Sequence, residues 1–315
     1  MSKVAVIGAG VSGLTSGVVL AESGYDVTLF AAEIMATTSA VAGAIWYPYH
    51  IKPKEKVERW GRSSYDEFVL LARDRTSGVE LIEMNVFSIE ARRRLPRWSV
   101  GMKRRYLPRE EIPAAYRFGF AVTVPVMQTP LYLPYLRRCL LRAGGRIRRK
   151  TIVDLRDLTP KFDAVVNCSG YGAKVLCNDR LLRPGRGIVV LTLNPGIDRA
   201  LVYAEDPKAL MYVIPRRNDC VLGGCDDEVE STIVSPAMAR AIHARCRRIE
   251  QMLPRMTSTN AGIRPVRSEV RLELERVDDT PVVHNYGHGG AGFTVSWGCA
   301  REVLGEVDRA LKVSR

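Results

Sequence analysis

The sequence predicts an α/β protein in which a parallel-sheet domain is interleaved with a smaller antiparallel-sheet domain. Three observations predict this. The chain opens on an apolar strand, a glycine turn, a helix and a second strand, which within about 30 residues is a Rossmann-like βαβ unit. Residues 79–126 alternate in polarity and are rich in β-forming residues, the pattern of an antiparallel sheet. Helix and buried-strand signals of the first kind then return in separated blocks with β-rich chain between them, so neither domain is one continuous stretch.

The elements follow in order. Residues 3–7 form a short apolar strand running into Gly8-Ala9-Gly10-Val11-Ser12-Gly13, and residues 14–22 read as a helix closed by Ser23-Gly24. Residues 26–30 are the second strand. A helix is predicted over 54–72, with Trp60, Tyr65, Phe68, Val69 and Ala72 on its apolar side. Residues 131–143 form an amphipathic helix ended by Gly144-Gly145, followed by a strand over 146–153. Residues 164–167 are a buried strand leading into Cys168-Ser169-Gly170-Tyr171-Gly172-Ala173. Strands are predicted at 188–193, 210–214 and 220–223, a helix at 238–252, strands at 270–275 and 281–285, and a last helix from about residue 297 to 311. There is no internal repeat and no low-complexity linker.

Composition narrows the function classes. At 315 residues with 46% apolar content there is material for a substantial core. No apolar run approaches the ~18 residues of a membrane span. Met1 leads directly into the first strand without a basic and apolar leader, so secretion is not expected. Lys312-Val313-Ser314-Arg315 is not a peroxisomal ending, and the cytoplasm is the expected location. The seven cysteines are odd in number and irregularly spaced, with no Cys-x-x-Cys, which points to reduced thiols and no metal site. The formal charge of +13, with clusters at Arg92-Arg93-Arg94, Lys103-Arg104-Arg105 and residues 146–150, raises a nucleic-acid partner. None of the clusters lies in a nucleic-acid-binding module, so a solvated basic surface that attracts anionic cofactors and substrates is the reading. No nucleic-acid or membrane partner is expected. The sequence leaves the oligomeric state open, a homodimer included.

Gly8-x-Gly10-x-x-Gly13 has its chemistry in context. The first glycine permits the tight turn, the second lets the backbone approach a pyrophosphate, and the third lets helix and strand pack closely. The phosphates then face helix N–H groups and the positive end of the dipole. Glu33 stands 20 residues beyond Gly13, about where a ribose-binding acid belongs. The motif does not separate FAD from NAD. Thr37-Thr38-Ser39 can hold phosphate oxygens or serve as an ordinary helix cap.

Three longer stretches carry a family resemblance: Thr37-Thr38-Ser39-Ala40-Val41-Ala42-Gly43-Ala44-Ile45-Trp46; Gly262-Ile263-Arg264-Pro265-Val266-Arg267 with Val270-Arg271-Leu272-Glu273; and His284-Asn285-Tyr286-Gly287-His288-Gly289-Gly290-Ala291-Gly292 through Trp297-Gly298-Cys299-Ala300. With Tyr212-Val213-Ile214-Pro215 and Gly223-Gly224, the chain resembles D-amino-acid oxidases from residue 1 to about 311. The resemblance implies a FAD-binding Rossmann-like domain over 1–48, 127–186 and 262–315. It implies a substrate-binding sheet domain over 49–126 and 187–261, with flavin between the two.

By the same resemblance, Arg264 clamps the substrate carboxylate, Tyr212 adds a hydroxyl bond to it, and the Gly290 carbonyl receives the amine. A guanidinium suits the first role because it makes two parallel bonds to a carboxylate. FAD contacts are implied for Gly8, Gly10, Val11, Ser12, Gly13, Thr37, Thr38, Ser39, Gly43 and Ala44. Val153, Ser169 and Gly170 are implied on the adenosine side, and Gly289, Gly290, Gly292, Phe293 and Thr294 around the flavin. Ile45, Tyr47, Tyr49 and Met211 are the candidates for the side-chain pocket. His284 and His288 are read as supports of the glycine-rich segment, not as bases. The implied reaction moves a hydride from Cα to flavin N5, releases an imino acid that hydrolyses to a 2-oxo acid and ammonia, and lets dioxygen reoxidise the flavin to give hydrogen peroxide.

Two departures matter. The acid that ends the second strand in animal relatives aligns with Ala32, not Glu33. The stretch 203–211 is shorter than the animal lid, which predicts an open mouth like that of bacterial members. The largely apolar pocket candidates and the absence of a second carboxylate clamp favour neutral over acidic D-amino acids. D-aspartate oxidase and a glycine- or sarcosine-type amine oxidase on the same fold are the alternatives.

Overall fold

The computed structural model describes residues 1–91 and 94–313. Arg92 and Arg93 of the first basic cluster, and Ser314 and Arg315 of the C-terminal ending, lie outside the described residues.

The elements run β1 (Lys3–Ile7), α1 (Val11–Glu22), β2 (Asp26–Ala31), α2 (Lys54–Leu71), β3 (Val79–Ser88), β4 (Arg104–Tyr106), β5 (Phe118–Met127), α3 (Thr129–Arg142), β6 (Arg146–Arg149), β7 (Ala164–Asn167), α4 (Ala173–Leu176), β8 (Arg183–Leu193), β9 (Arg199–Tyr203), β10 (Met211–Pro215), β11 (Asp219–Gly223), α5 (Pro236–Arg247), β12 (Met256–Val277), β13 (Thr280–His288) and α6 (Gly292–Val313). All thirteen strands among the described residues join one mixed sheet, in the order β4-β5-β3-β9-β10-β11-β8-β12-β13-β7-β1-β2-β6.

One end of the sheet is parallel, with β13, β7, β1, β2 and β6 side by side. Its inner strands β1 and β7 are buried on both faces and read as near-continuous apolar runs, whereas β6 is an exposed edge. Val4 and Val6 of β1 belong to the core that also holds Leu14, Val18, Leu136, Leu140 and Val303 from α1, α3 and α6. Ala5 and Ile7 join a separate cluster with Phe30, Ile152 and Leu158. The other end is antiparallel apart from the β3–β9 pair.

The two ends are joined by β12. Its first half pairs with β8 and its second half with β13, with a register shift between Val266 and Arg271. Sequence alternation indicates only 270–275 of this strand. Gly262, Pro265 and the surrounding charges interrupt the pattern, and pairing on two different neighbours extends the strand to 22 residues. β9 is absent from the sequence-based expectation and is held by β3 and β10. The strand expected over 146–153 stops at Arg149, at the free edge of the sheet.

Candidate active site

The turn after β1 shows why glycine is needed there. Gly8 has φ +107°, and its N–H donates to the Phe30 carbonyl at 2.7 Å. A Cβ on Gly13 would lie 1.9 Å from the Gly8 carbonyl oxygen, so α1 can approach the turn only with glycine at that position. Gly10 caps α1 without a side-chain hydrogen bond, and the Val11 N–H donates to Ser39 Oγ at 3.0 Å. The Thr37-Thr38-Ser39 cluster is thereby tied to the helix N-terminus, while Thr38 Oγ1 donates to the Ile263 carbonyl on β12.

From this turn a cavity of about 540 Å³ runs to the antiparallel sheet. It brings together Gly8, Gly10, Val11, Ser12, Thr37, Thr38, Ser39, Gly43, Ala44, Ser169, Gly170, Gly289, Gly290, Gly292 and Phe293 on one side. Ile45, Tyr47, Tyr49, Tyr212 and Arg264 line the other part. Thr37 Oγ1 and Ser169 Oγ are buried without a hydrogen-bond partner. A buried hydroxyl left unpaired costs roughly 1–3 kcal/mol, so both stand ready for a polar ligand. Orphaned hydroxyls, a glycine turn at a helix N-terminus and a long, mainly apolar wall fit a dinucleotide such as FAD.

Four candidates stand elsewhere. Gly13 is behind the wall, where its packing role places it. Thr294 is buried and holds Tyr47, accepting from its N–H at 3.0 Å and donating to its carbonyl at 2.9 Å. Met211 is 1% exposed and packs in the second core with Val213 and Tyr203. Side chains alternate along a strand, so Tyr212 and Ile214 of β10 face the cavity and Met211 cannot; Leu210 lines it instead. Val153 is 73% exposed and outside the wall, which is formed there by Lys150, Thr151 and Ile152. β6 has already ended, so strand alternation no longer aims residue 153. Ala32 and Glu33 both border the cavity, but the Glu33 carboxylate is paired with Arg149 at 2.9 Å.

Arg264 projects from β12 with its guanidinium over Gly187 of β8. Its Nη1 donates to the Cys225 carbonyl at 2.9 Å, the Arg186 carbonyl at 3.3 Å and Asp226 Oδ1 at 3.1 Å. The Tyr212 ring lines the same part of the cavity as this arginine, whose charge acts on its phenol. Burial raises the Tyr212 phenol, with Arg264 opposing; burial and then Asp226 raise Tyr49. Both hydroxyls therefore stay protonated and able to donate. The Tyr49 ring lies against Gly290, and its hydroxyl approaches Asp226 Oδ2 at 3.4 Å.

Sequence reasoning missed Asp226. The signal available was its place two residues after Gly223-Gly224, at the head of an acidic run. The histidines are not poised as bases. His288 donates through Nε2 to Asn285 Oδ1 at 3.0 Å, and burial holds its pKa down to about 4. His284 is fully buried against Asn167 and Glu275, and burial, then Arg271, lowers its pKa. Asn285 Nδ2 donates to Ser16 Oγ at 3.1 Å, which fastens the glycine-rich segment to α1.

Comparison with known proteins agrees with this geometry. A family model described as FAD dependent oxidoreductase matches residues 3–304. The chain is 41% identical to a D-amino-acid oxidase of Rubrobacter xylanophilus over 99% of this chain and 97% of that protein. It is 38% identical to one from Streptomyces coelicolor over 95% of each. A D-aspartate oxidase of Homo sapiens is 31% identical over 100% of this chain and 97% of its own. Among solved structures, a glycine oxidase from Bacillus cereus shares the fold with a TM-score of 0.79 at 17% identity, covering 98% of this chain and 95% of its own. With its glycine turn, its orphaned hydroxyls and its arginine-lined far wall, this chain belongs to the FAD dependent oxidoreductase family that includes the D-amino-acid oxidases.

Proposed function

We propose that this protein is a D-amino-acid oxidase. It carries out FAD-dependent oxidative deamination of D-amino acids to 2-oxo acids, ammonia and hydrogen peroxide. The observation that carries the reading is Arg264, a guanidinium at the cavity wall beside the Tyr212 hydroxyl and the Gly290 backbone. Bound FAD supplies the two-electron acceptor, and dioxygen takes the electrons onward.

The chain's own residues bind and orient. Arg264 and Tyr212 hold the substrate carboxylate, and the Gly290 carbonyl accepts from the amine. Two fixed points leave one enantiomer with its Cα–H aimed at the flavin region, so positioning contributes more than acid–base help. Both histidines support the wall. Gly8, Gly10, Val11, Ser12, Thr37, Thr38, Ser39, Ser169 and Gly170 hold the phosphate and adenosine portions of FAD. Gly289, Gly290, Gly292 and Phe293 hold the flavin. Ile45, Tyr47 and Tyr49 shape the side-chain pocket.

Neutral side chains are preferred over acidic ones. The lining supports this, and so does Asp226, whose carboxylate 3.1 Å from Arg264 repels a second acid. In this reading residues 1–48, 127–186 and 262–315 hold FAD, and 49–126 and 187–261 form the substrate wall. All five parallel-end strands come from the first set. β8 and β12 cross the 186/187 and 261/262 boundaries without a break. Among the described residues no helix is long and apolar enough to cross a membrane. We place the protein in the cytoplasm, without a nucleic-acid partner.

Anaerobic addition of D-alanine or D-methionine to the FAD-loaded protein is expected to bleach the visible flavin band, with the L-enantiomers inert. A band that survives every D-amino acid would refute the activity. Faster turnover of D-aspartate than of D-alanine or D-methionine would refute the preference.

A further inference from the structure

The turn after β7 reads Cys168-Ser169-Gly170-Tyr171-Gly172, and all five residues line the large cavity. Backbone packing does not fix the Tyr171 ring. Gly170 has φ +59°, nothing stands within 4 Å of the place its Cβ would take, and a Cβ on Gly172 would meet only Ser169. Glycines on both sides give such a turn wide conformational freedom. The ring is held at its hydroxyl instead. Tyr171 donates to Glu230 Oε1 and accepts from Lys174 Nζ at 2.8 Å, while Lys174 also donates to Glu230 Oε1 at 2.8 Å. The ammonium lies 5.2 Å from the ring centroid.

Glu230 comes from a different part of the fold. It lies on the segment that leaves β11, 59 residues from Tyr171 in sequence. The same segment is tied to the start of β8 through Asp227 and Arg186 at 2.8 Å and through Glu228 and Arg183 at 2.6 Å. Glu230 and Lys174 do not line the cavity. They act on its wall through the Tyr171 hydroxyl. Two residues before Tyr171, the buried Ser169 Oγ has no protein partner, so the ring stands beside a place that awaits a polar ligand.

We infer that Tyr171 is a further cofactor-binding residue: its ring closes the cavity over the FAD held at Ser169 and Gly170, and the Lys174–Glu230 pair positions that ring. The inference rests on FAD as the cofactor and not on which D-amino acid is oxidised. The side chains of Lys174 and Glu230 are 40% and 61% exposed, and an exposed pair holds weakly and is screened by salt. The cover therefore opens readily, and retention of FAD is coupled to the segment after β11.

The test is release of FAD from the holoenzyme on dilution, followed by the rise in flavin fluorescence, with the dissociation constant measured by titration of apoprotein with FAD. Tyr171→Ala is expected to speed release by about tenfold, the scale of a lost aromatic contact. Tyr171→Phe keeps the ring and loses its tether. It and Glu230→Gln are each expected to speed release by roughly two- to fivefold. Both remove the same tether, so the double variant should release FAD no faster than the faster of the two single variants. A wild-type release rate and affinity in Tyr171→Ala overturn the inference. Wild-type release in both Tyr171→Phe and Glu230→Gln also overturns it, and that comparison stands even if the alanine variant fails to fold. Additive effects in the double variant overturn it as well, because Glu230 would then act elsewhere than on the ring. The expected rates in a protein that no D-amino acid bleaches would support the inference while refuting the proposed activity. A protein that holds no FAD overturns both.

Discussion

Arg264 lies flat across Gly187 on the neighbouring strand: a Cβ at Gly187 would stand 2.6 Å from its Nη2 and 2.7 Å from its Cζ. The space that lets the guanidinium line the cavity is therefore provided by a residue on another strand that carries no functional group.

Gly187→Ala is expected to push the guanidinium off this position while leaving the strand pairing intact. A displacement approaching 1 Å costs on the order of 100-fold in kcat/KM. Steady-state kinetics with D-alanine, together with a near-unchanged Tm, would bear this out. Wild-type kcat/KM in the variant would show that the clamp does not depend on Gly187. Arg264→Lys is expected to lose at least as much, because an ammonium cannot make the paired bonds.

Gly13→Ala addresses the cofactor turn. The added methyl meets the backbone of Gly8, not a movable side chain, so helix or turn must shift. Overpacking of this kind costs about 1–3 kcal/mol. The purified variant is expected to retain less FAD, read from the ratio of flavin to protein absorbance. Stoichiometric flavin at wild-type affinity would contradict it.

Ser169→Ala and Thr37→Val remove hydroxyls that have no protein partner. The apoprotein is expected to keep its Tm, because no internal hydrogen bond is lost. FAD affinity is expected to fall by roughly tenfold per site, the size of one hydrogen bond. Titration of apoprotein with FAD separates the two effects. A drop in apoprotein Tm with unaltered FAD binding would assign the hydroxyls to structure.

Acid stability should report His288. Burial holds its folded-state pKa near 4, against an ordinary 6.5. Between those values the unfolded chain binds the proton and the folded protein does not. Stability is therefore expected to fall as pH drops from about 6.5 towards 4, by on the order of 3 kcal/mol from this residue at the lower limit. His284 is shifted in the same direction and adds to the effect. Chemical denaturation of wild type and His288→Asn at pH 7.5 and 5 checks it. The gap between the two proteins should narrow in acid, and a gap independent of pH would exclude His288 as a source.

Much of the site was legible in the chain because its signals are local. The glycine turn lies within six consecutive residues, and Gly289 to Phe293 form another short run. Met211 shows a local rule left unapplied: once Tyr212 faces the cavity, its strand neighbour must face away. Val153 shows the opposite limit. Its position depends on where an edge strand stops, and residues 146–153 carry no clear signal for that. β9 was missed because its partners β3 and β10 define it more than its own five residues do.

By itself, the sequence determined the βαβ turn, the separate blocks of buried-strand and alternating-strand chain and the arginine suited to a carboxylate, since each is a short-range device or a residue chemistry. Only the tertiary structure decided what surrounds that arginine. Gly187 reaches it because β8 and β12 pair across the middle of the sheet. Asp226, 38 residues away, reaches it because the chain leaving β11 passes over the same strands. Such neighbours are set by which strands pair and in what register, and one residue of slip would turn every one of them to the opposite face.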